Sequence, residues 1–385
     1  MISSRVAIIG IGYTPFRTIS PDVSFKEMMF EAAFKAYEDA GVNPRHDIDS
    51  FVDCAEDFTE GRSIFDIQAP DNIGAALRSI HTVCYDGIGG LIVGYMLIQT
   101  GQYKVVAVEA HSKLSNMLTP GYLVTHALDP VLNKPLGYNA NYIAGMEMNR
   151  YLYDSGATRE QCARVCVKNK MNAIDNPLAS YGDRITVDDV LKSETTFYPL
   201  SRLDTAAPTD GSIVMVLASE EKAKVLAKKP VWIRGVGWCS DTPYLETRPW
   251  SEAAYARLSA EMAYKMASIK HPRKEIDIAE IDDSFSYKEL QHMEALKLCH
   301  KGEAGSLVEE GATEREGELP INVSGGSLGV GWLGEATGLQ RVLEIVLQLR
   351  GEAGKRQVPG ITTGLAQSWR GVPTTTGTTI ILSKE

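Results

Sequence analysis

Asn322-Val323-Ser324-Gly325-Gly326-Ser327-Leu328-Gly329-Val330-Gly331-Trp332-Leu333-Gly334-Glu335-Ala336-Thr337-Gly338 is a glycine-rich loop that feeds a helical pattern, Leu339 to Leu349. A second passage of this kind occurs earlier, where Cys84-Tyr85-Asp86-Gly87-Ile88-Gly89-Gly90 opens an apolar helix from Leu91 to Gln99. The same succession surrounds both. Val6 to Gly12 reads as a buried strand entering a glycine turn, followed by a helix at Phe25 to Ala40 and a strand at Ser50 to Cys54. Val231 to Gly237 is again strand then glycine turn, followed by helical spacing from Ser251 to Ser268 and a strand end at Ile276 to Asp282. Further strands are expected at 104–110, 210–218 and 378–382. Alternating strands and helices predict an α/β layered fold, and the recurrence predicts duplication, with halves at 1–225 and 226–385. A polar, irregular insertion at about 113–200 is helical in pattern only at Ala144 to Ser155 and Arg159 to Ile174. Such a segment covers an active site, builds an interface, or is a plain surface excursion.

Cys84 is the first candidate for chemistry. A thiol before a helix N-terminus meets unpaired N–H groups and the positive end of the helix dipole, which favour thiolate and hence a nucleophile. The alternative is a buried structural cysteine. The six cysteines fit neither a disulfide framework nor a zinc site, and Cys162 and Cys166 read as core thiols one helical turn apart. Gly10-Ile11-Gly12 is not a dinucleotide fingerprint, because Pro15 stands where its helix would begin. The chain has 385 residues, 44% apolar and 23% charged, with a net charge of -10 and no basic block, which argues against a nucleic-acid partner. No apolar stretch is long enough for a membrane span, and residues 1–20 lack a signal-peptide core, so a reducing cytoplasm is expected.

Four features resemble the thiolase superfamily over essentially the whole chain. They are the opening at Val6 to Gly12, Cys84 before its helix, Thr209-Asp210-Gly211-Ser212, and the Asn322 to Gly338 segment. The resemblance implies a duplicated five-layered αβαβα thiolase fold, a homodimer, acyl-CoA substrates, and a pantetheine tunnel in which coenzyme A reaches Cys84. It is closest to archaeal-type thiolases and bacterial relatives that work with a separate small zinc-ribbon/OB-fold subunit; any zinc would then belong to that subunit and not to this chain. The ending Gly364-Leu365-Ala366-Gln367-Ser368-Trp369-Arg370-Gly371-Val372-Pro373 resembles the branch of anaerobic toluene breakdown, which implies cleavage of 2-benzoylsuccinyl-CoA with CoA to benzoyl-CoA and succinyl-CoA.

The family pattern is also broken. Ordinary thiolases use two cysteines and a histidine, yet residues 301–385 contain neither residue type. The family's Gly-His-Pro reads Gly331-Trp332-Leu333, and its His-Asp-Ala-Phe loop reads Asp282-Asp283-Ser284-Phe285. Asp282, Asp283 and Tyr287 are therefore the acid/base or oxyanion candidates, each with packing as its alternative. Ser324, Gly325 and Gly326 are candidates for CoA binding, and backbone N–H groups near Gly371 to Gly377 or Ser324 to Gly326 are candidates for holding an oxyanion. Trp332, Trp369 and Arg370 are candidates for the acyl pocket: flat rings for an aromatic group, and a guanidinium for a second carboxylate or as a loop anchor. His81, His111 and His126 are weaker candidates for touching substrate. Two other readings stay open, a retro-aldolase acting on a β-hydroxy acyl-CoA and a non-catalytic CoA-binding scaffold.

Overall fold

The computed structural model describes residues 5–57, 64–119, 124–242, 244–371 and 376–385. Its strands are β1 Val6–Tyr13, β2 Ser50–Cys54, β3 Ser79–Val83, β4 Val105–Ser112, β5 Thr195–Phe197, β6 Leu200–Ser201, β7 Gly211–Ser219, β8 Val231–Ser240, β9 Ile278–Glu280, β10 Thr363–Trp369 and β11 Thr376–Ser383. The longer helices are α1 Phe25–Ala40, α2 Gly87–Gln99, α3 Ala140–Ser155, α4 Arg159–Ile174, α5 Ala254–Ala267, α6 Ser286–Ala295 and α7 Thr337–Arg350.

Nine strands join one sheet in the order β3-β2-β4-β7-β1-β8-β11-β10-β9, with β5 and β6 a separate pair. The order is symmetric about the β1–β8 junction. β4 and β7 are antiparallel, as are β10 and β11, while β2–β4 and β9–β10 are parallel. Even β3 has a counterpart, a parallel bridge between Ala279 and Ile321 beyond β9. The duplication expected from element order is thus written into the pairing.

Three apolar cores separate the layers. Val214, Val216 and Ala218 of β7 face α1, whereas Ile213, Met215 and Leu217 face α2 and α7. In the second half Ile380 and Leu382 of β11 join that central core, and Ile381 packs on the opposite side with α5 and α6. Alternation with period two, buried on both sides, is what turns these strands into near-continuous apolar runs. The result is helix, half-sheet, paired helices α2 and α7, half-sheet, helix, the half-sheets being the β3-to-β1 and β8-to-β9 arms of the one nine-stranded sheet.

One local reading is corrected. The glycines of Gly10-x-Gly12 and Gly235-x-Gly237 are not turns; the strands run through them to Tyr13 and Ser240. A Cβ at Gly12 would sit 2.1 Å from the Ala32 carbonyl oxygen, and one at Gly237 would sit 1.9 Å from that of Ser259. They let α1 and α5 lie directly on the sheet.

Candidate active site

Cys84 leaves the sheet at the end of β3, which pairs in parallel with β2, and stands just before α2. It is exposed. The helix cap belongs to Asp86, whose carboxylate accepts from the Gly89 N–H at 3.3 Å. Burial first, then the carboxylates of Asp57 and Glu335, push the Cys84 thiol above its ordinary value. That direction is opposite to the one expected from the helix dipole: the thiol faces two anions, and a carboxylate already occupies the cap.

The starts of α2 and α7 touch. A Cβ at Gly338 would lie 2.1 Å from Asp86 Oδ2 and 2.8 Å from the Ile88 nitrogen, and one at Gly87 would lie 2.3 Å from Leu339 Cγ. The two glycine-rich passages therefore converge on one place. Arg370 reaches it from the end of β10, donating to the Cys84 carbonyl and pairing with Glu56. Burial draws this guanidinium down to about 10. Tyr85 Oη lies 3.5 Å from Ser240 Oγ, itself 3.2 Å from Thr376 Oγ1, which closes the rim on the second half.

The expected acid/base residues lie deeper. Asp282, Asp283 and Tyr287 are fully enclosed. Asp282 Oδ2 is 2.9 Å from Arg341 Nη2, and its Oδ1 accepts from the Ser284 N–H. Asp283 accepts from the N–H groups of Ser327 and Leu328, at the start of the short helix Gly326–Val330, and from Asn169 Nδ2. Burial pushes its carboxyl up to about 6. Tyr287 donates to Glu147 of the insertion at 2.9 Å. None of the three side chains has an exposed surface; the two aspartates tie the loop after β9 to α7 and the short helix, and Tyr287 ties α6 to α3. Ser324, Gly325 and Gly326 are likewise buried, and their N–H groups go to Glu280, the Asn322 carbonyl and Ser324 Oγ. The expected oxyanion role of this loop finds no free donor there. Gly326 instead makes room for the Asp283 carboxylate, and Gly325 for Ala173 of α4.

The pocket candidates diverge. Trp332 is half-buried. Trp369 is 4% exposed, with Lys288 Nζ 4.0 Å above its ring and Tyr255 stacked on it at 5.9 Å, so it is a core side chain here and not a plate offered to substrate. Residues 372–375 of the Gly371 to Gly377 loop, including Val372 and Pro373, lie outside the described residues. His111 is buried against Phe25 and Phe65, and His81 and His126 are exposed. Cys162 and Cys166 are core thiols as read.

Sequence reasoning missed a buried polar layer under the site. Arg341, fully enclosed on α7, also donates to Ser327 Oγ at 2.8 Å and lies 3.4 Å from Ser368 Oγ. Lys288 donates to Glu147, Tyr255 and Gln291, and Tyr255 Oη lies 3.0 Å from His292 Nε2. His292 Nδ1 donates to the Asp282 carbonyl, and burial drives this imidazole down to about 4, so it is neutral. The clue for Arg341 was a charged residue among the apolar positions of α7; α6, with Lys288, Gln291 and His292, carries no such apolar frame. Cross-strand pairing also gathers Asp53, Glu109 and His111 within 4.8 Å, a buried His–carboxylate cluster among the described residues that spacing along the chain could not reveal.

Residues 238–384 match the family described as thiolase C-terminal domain-like. An acetyl-CoA acetyltransferase of Methanothermobacter thermautotrophicus is 32% identical over 94% of this chain and 95% of its own. The chain belongs to the thiolase family. A 17-hydroxy-3-oxo-4-pregnene-20-carboxyl-CoA lyase of Mycobacterium tuberculosis is 29% identical over 97% of this chain and 98% of its own. A solved structure described as the Ltp2-ChsH2(DUF35) aldolase superposes with a TM-score of 0.84 at 27% identity, covering 100% of this chain and 99% of that one. No helix among the described residues of this thiolase-family chain is long and apolar enough to cross a membrane.

Proposed function

We propose that this thiolase-family protein is an acyl-CoA C-acyltransferase that cleaves a β-keto acyl-CoA with CoA through an acyl-enzyme on Cys84. The observation that carries this is the exposed thiol at the point where the two duplicated helix starts meet. CoA would enter between the halves and the insertion. Attack of the Cys84 sulfur on the keto carbonyl forms a tetrahedral oxyanion, for which backbone N–H groups of the Gly371 to Gly377 loop are the proposed donors. Breakage of the carbon–carbon bond leaves one acyl group on Cys84 and releases the other acyl-CoA as its enolate. The CoA thiol then takes the acyl group from the cysteine.

The finer proposal is that the substrate is 2-benzoylsuccinyl-CoA, giving benzoyl-CoA and succinyl-CoA in the cytoplasm during toluene breakdown. Half-buried Trp332 in place of the family's histidine supports an aromatic acyl group. Arg370 supports the reading less directly, because its contacts with the Cys84 carbonyl and Glu56 make it first an anchor of the nucleophile. A homodimer is proposed because β3, with its partly exposed side chains, is an edge of the sheet, and edges of this kind need cover. A small zinc-ribbon/OB-fold subunit is proposed by analogy with the DUF35-associated neighbour.

That neighbour and the lyase also favour a second reading, retro-aldol cleavage of a β-hydroxy acyl-CoA, which needs no nucleophilic cysteine. Chromatography of products from 2-benzoylsuccinyl-CoA, with the small subunit present, separates the readings. The expected outcome is equal benzoyl-CoA and succinyl-CoA, formed only when CoA is added. Cleavage of β-hydroxy acyl-CoAs without CoA would replace this reading by the aldolase, and CoA binding with no turnover of either would leave a scaffold.

A further inference from the structure

Thiolytic cleavage moves protons at several steps, and the family's usual carriers, a histidine and a second cysteine, are absent from residues 301–385. The thiol of Cys84 must lose its proton, the departing α-carbon must gain one, and the CoA thiol must lose one. Three expected carriers, Asp282, Asp283 and Tyr287, are enclosed and committed to Arg341, to helix N–H groups and to Glu147. The carrier has to come from what actually borders Cys84.

Two carboxylates act on the thiol, Asp57 and Glu335. Asp57 accepts from the Ile64 N–H through one oxygen and the Phe65 N–H through the other, at 2.9 and 3.0 Å. Glu335 is placed differently. It occupies the tight turn Gly334–Ala336, immediately before α7, and is partly exposed. Because Gly338 packs on Asp86 and the Ile88 nitrogen, and Gly87 packs on Leu339, the turn before α7 and the turn before α2 are held side by side. Cys84 lies three residues ahead of the first residue of α2, and Glu335 two ahead of the first residue of α7. Gly334 further seats this turn beside Ser112, the last residue of β4, and Leu114 just beyond it, at the carboxyl end of a strand that runs parallel to β2, where ligands of such sheets gather.

We infer that the Glu335 carboxylate is the acid–base group that exchanges protons with Cys84, with the α-carbon and with CoA. The inference rests on the thiolase reading above. As carboxylate it takes the Cys84 proton while sulfur attacks the keto carbonyl. When the carbon–carbon bond breaks, its electron pair passes to the α-carbon, which receives that proton from the Glu335 carboxyl. The carboxylate then takes the CoA proton as CoA sulfur attacks the acyl-cysteine. The thioester bond to Cys84 breaks, sulfur leaves as thiolate, and Glu335 returns the proton to it. Atoms balance with no other reactant. A thiol kept protonated by burial and by two carboxylates needs a base at the moment of attack, and the turn before α7 sets Glu335 beside the turn that carries Cys84.

The test compares wild type with Glu335→Gln, Glu335→Asp and Glu335→Ala in two assays, with Glu56, Arg370 and Asp57, the other charges beside Cys84, left in place. The first is the rate of Cys84 alkylation by iodoacetamide against pH, which needs no substrate. The second is turnover of 2-benzoylsuccinyl-CoA with CoA. In Glu335→Gln, alkylation is expected to move to lower pH, so that the thiol reacts several-fold faster near neutrality. Turnover is expected to fall about 10²- to 10⁴-fold. Glu335→Asp is expected to recover part of it, and formate to rescue Glu335→Ala. Unchanged turnover in Glu335→Gln overturns the inference, as does a parallel fall of turnover and alkylation, the mark of a distorted site. Wild-type protein that turns over neither this substrate nor acetoacetyl-CoA would instead strike the thiolase reading, leaving the alkylation shift to report on the carboxylate alone.

Discussion

Cys84→Ser is expected to lower thiolytic turnover by about 10⁴-fold or more while leaving the fold intact. The size follows from what sulfur does. An alkoxide is far harder to generate than a thiolate, and the surroundings of Cys84 already resist its ionisation through burial, Asp57 and Glu335. A serine there would need a base able to take a much less acidic proton. The fold should survive because Cys84 is exposed, beyond the last residue of β3 and ahead of the Asp86 cap. Steady-state rates and near-UV circular dichroism measure the two halves of the expectation. A variant retaining the wild-type rate would sink nucleophilic catalysis and favour retro-aldol chemistry.

Arg341→Met is expected to cost the protein about 3–5 kcal/mol. The guanidinium is fully buried between Asp282 and Asp283, 2.9 and 3.6 Å away, and ties in Ser327 of the short helix Gly326–Val330 and Ser368 of β10. Methionine fills similar volume but strands two carboxylates beside one another. Asp283 fixes the pH dependence. Its carboxyl is raised in the fold to about 6, from 3.8, so the folded protein holds this proton more tightly than the unfolded chain. The associated stability is therefore complete below pH 3.8 and is lost as pH rises through about 6. Removing the arginine, which pulls that value down, extends the loss to higher pH, and Asp283→Asn in the same background should restore part of the deficit. Urea midpoints at pH 5 and pH 8 check both statements; equal losses at the two pH values would contradict them.

The architecture was legible because duplication leaves two copies of each signal. Phe25 to Ala40 was readable from its apolar spacing and closing glycine, and Arg159 to Ile174 from its spacing, and the structure places both helices within those bounds. α6 was not legible. It is buried on every side, and Lys288, Glu289, Gln291 and His292 are among its enclosed residues, so no apolar stripe marks it. β3 was hidden for the opposite reason, since an edge strand with partly exposed side chains lacks a buried run. At the site, position was legible and electrostatics were not. The chain order places Cys84 before a helix, but its burial and the approach of Asp57 and Glu335 come from folding, and they reverse the expected shift of the thiol. The same holds for Asp282, whose partner Arg341 lies 59 residues on, in α7.

Rapid acid quench of the protein with 2-benzoylsuccinyl-CoA, in the presence of the small subunit and before CoA is added, followed by peptide mass mapping, tests the account most directly. The peptide carrying Cys84 should gain the mass of one benzoyl group, and subsequent CoA should remove it. Acylation of a different residue, or products formed while Cys84 stays unmodified throughout, would contradict the account.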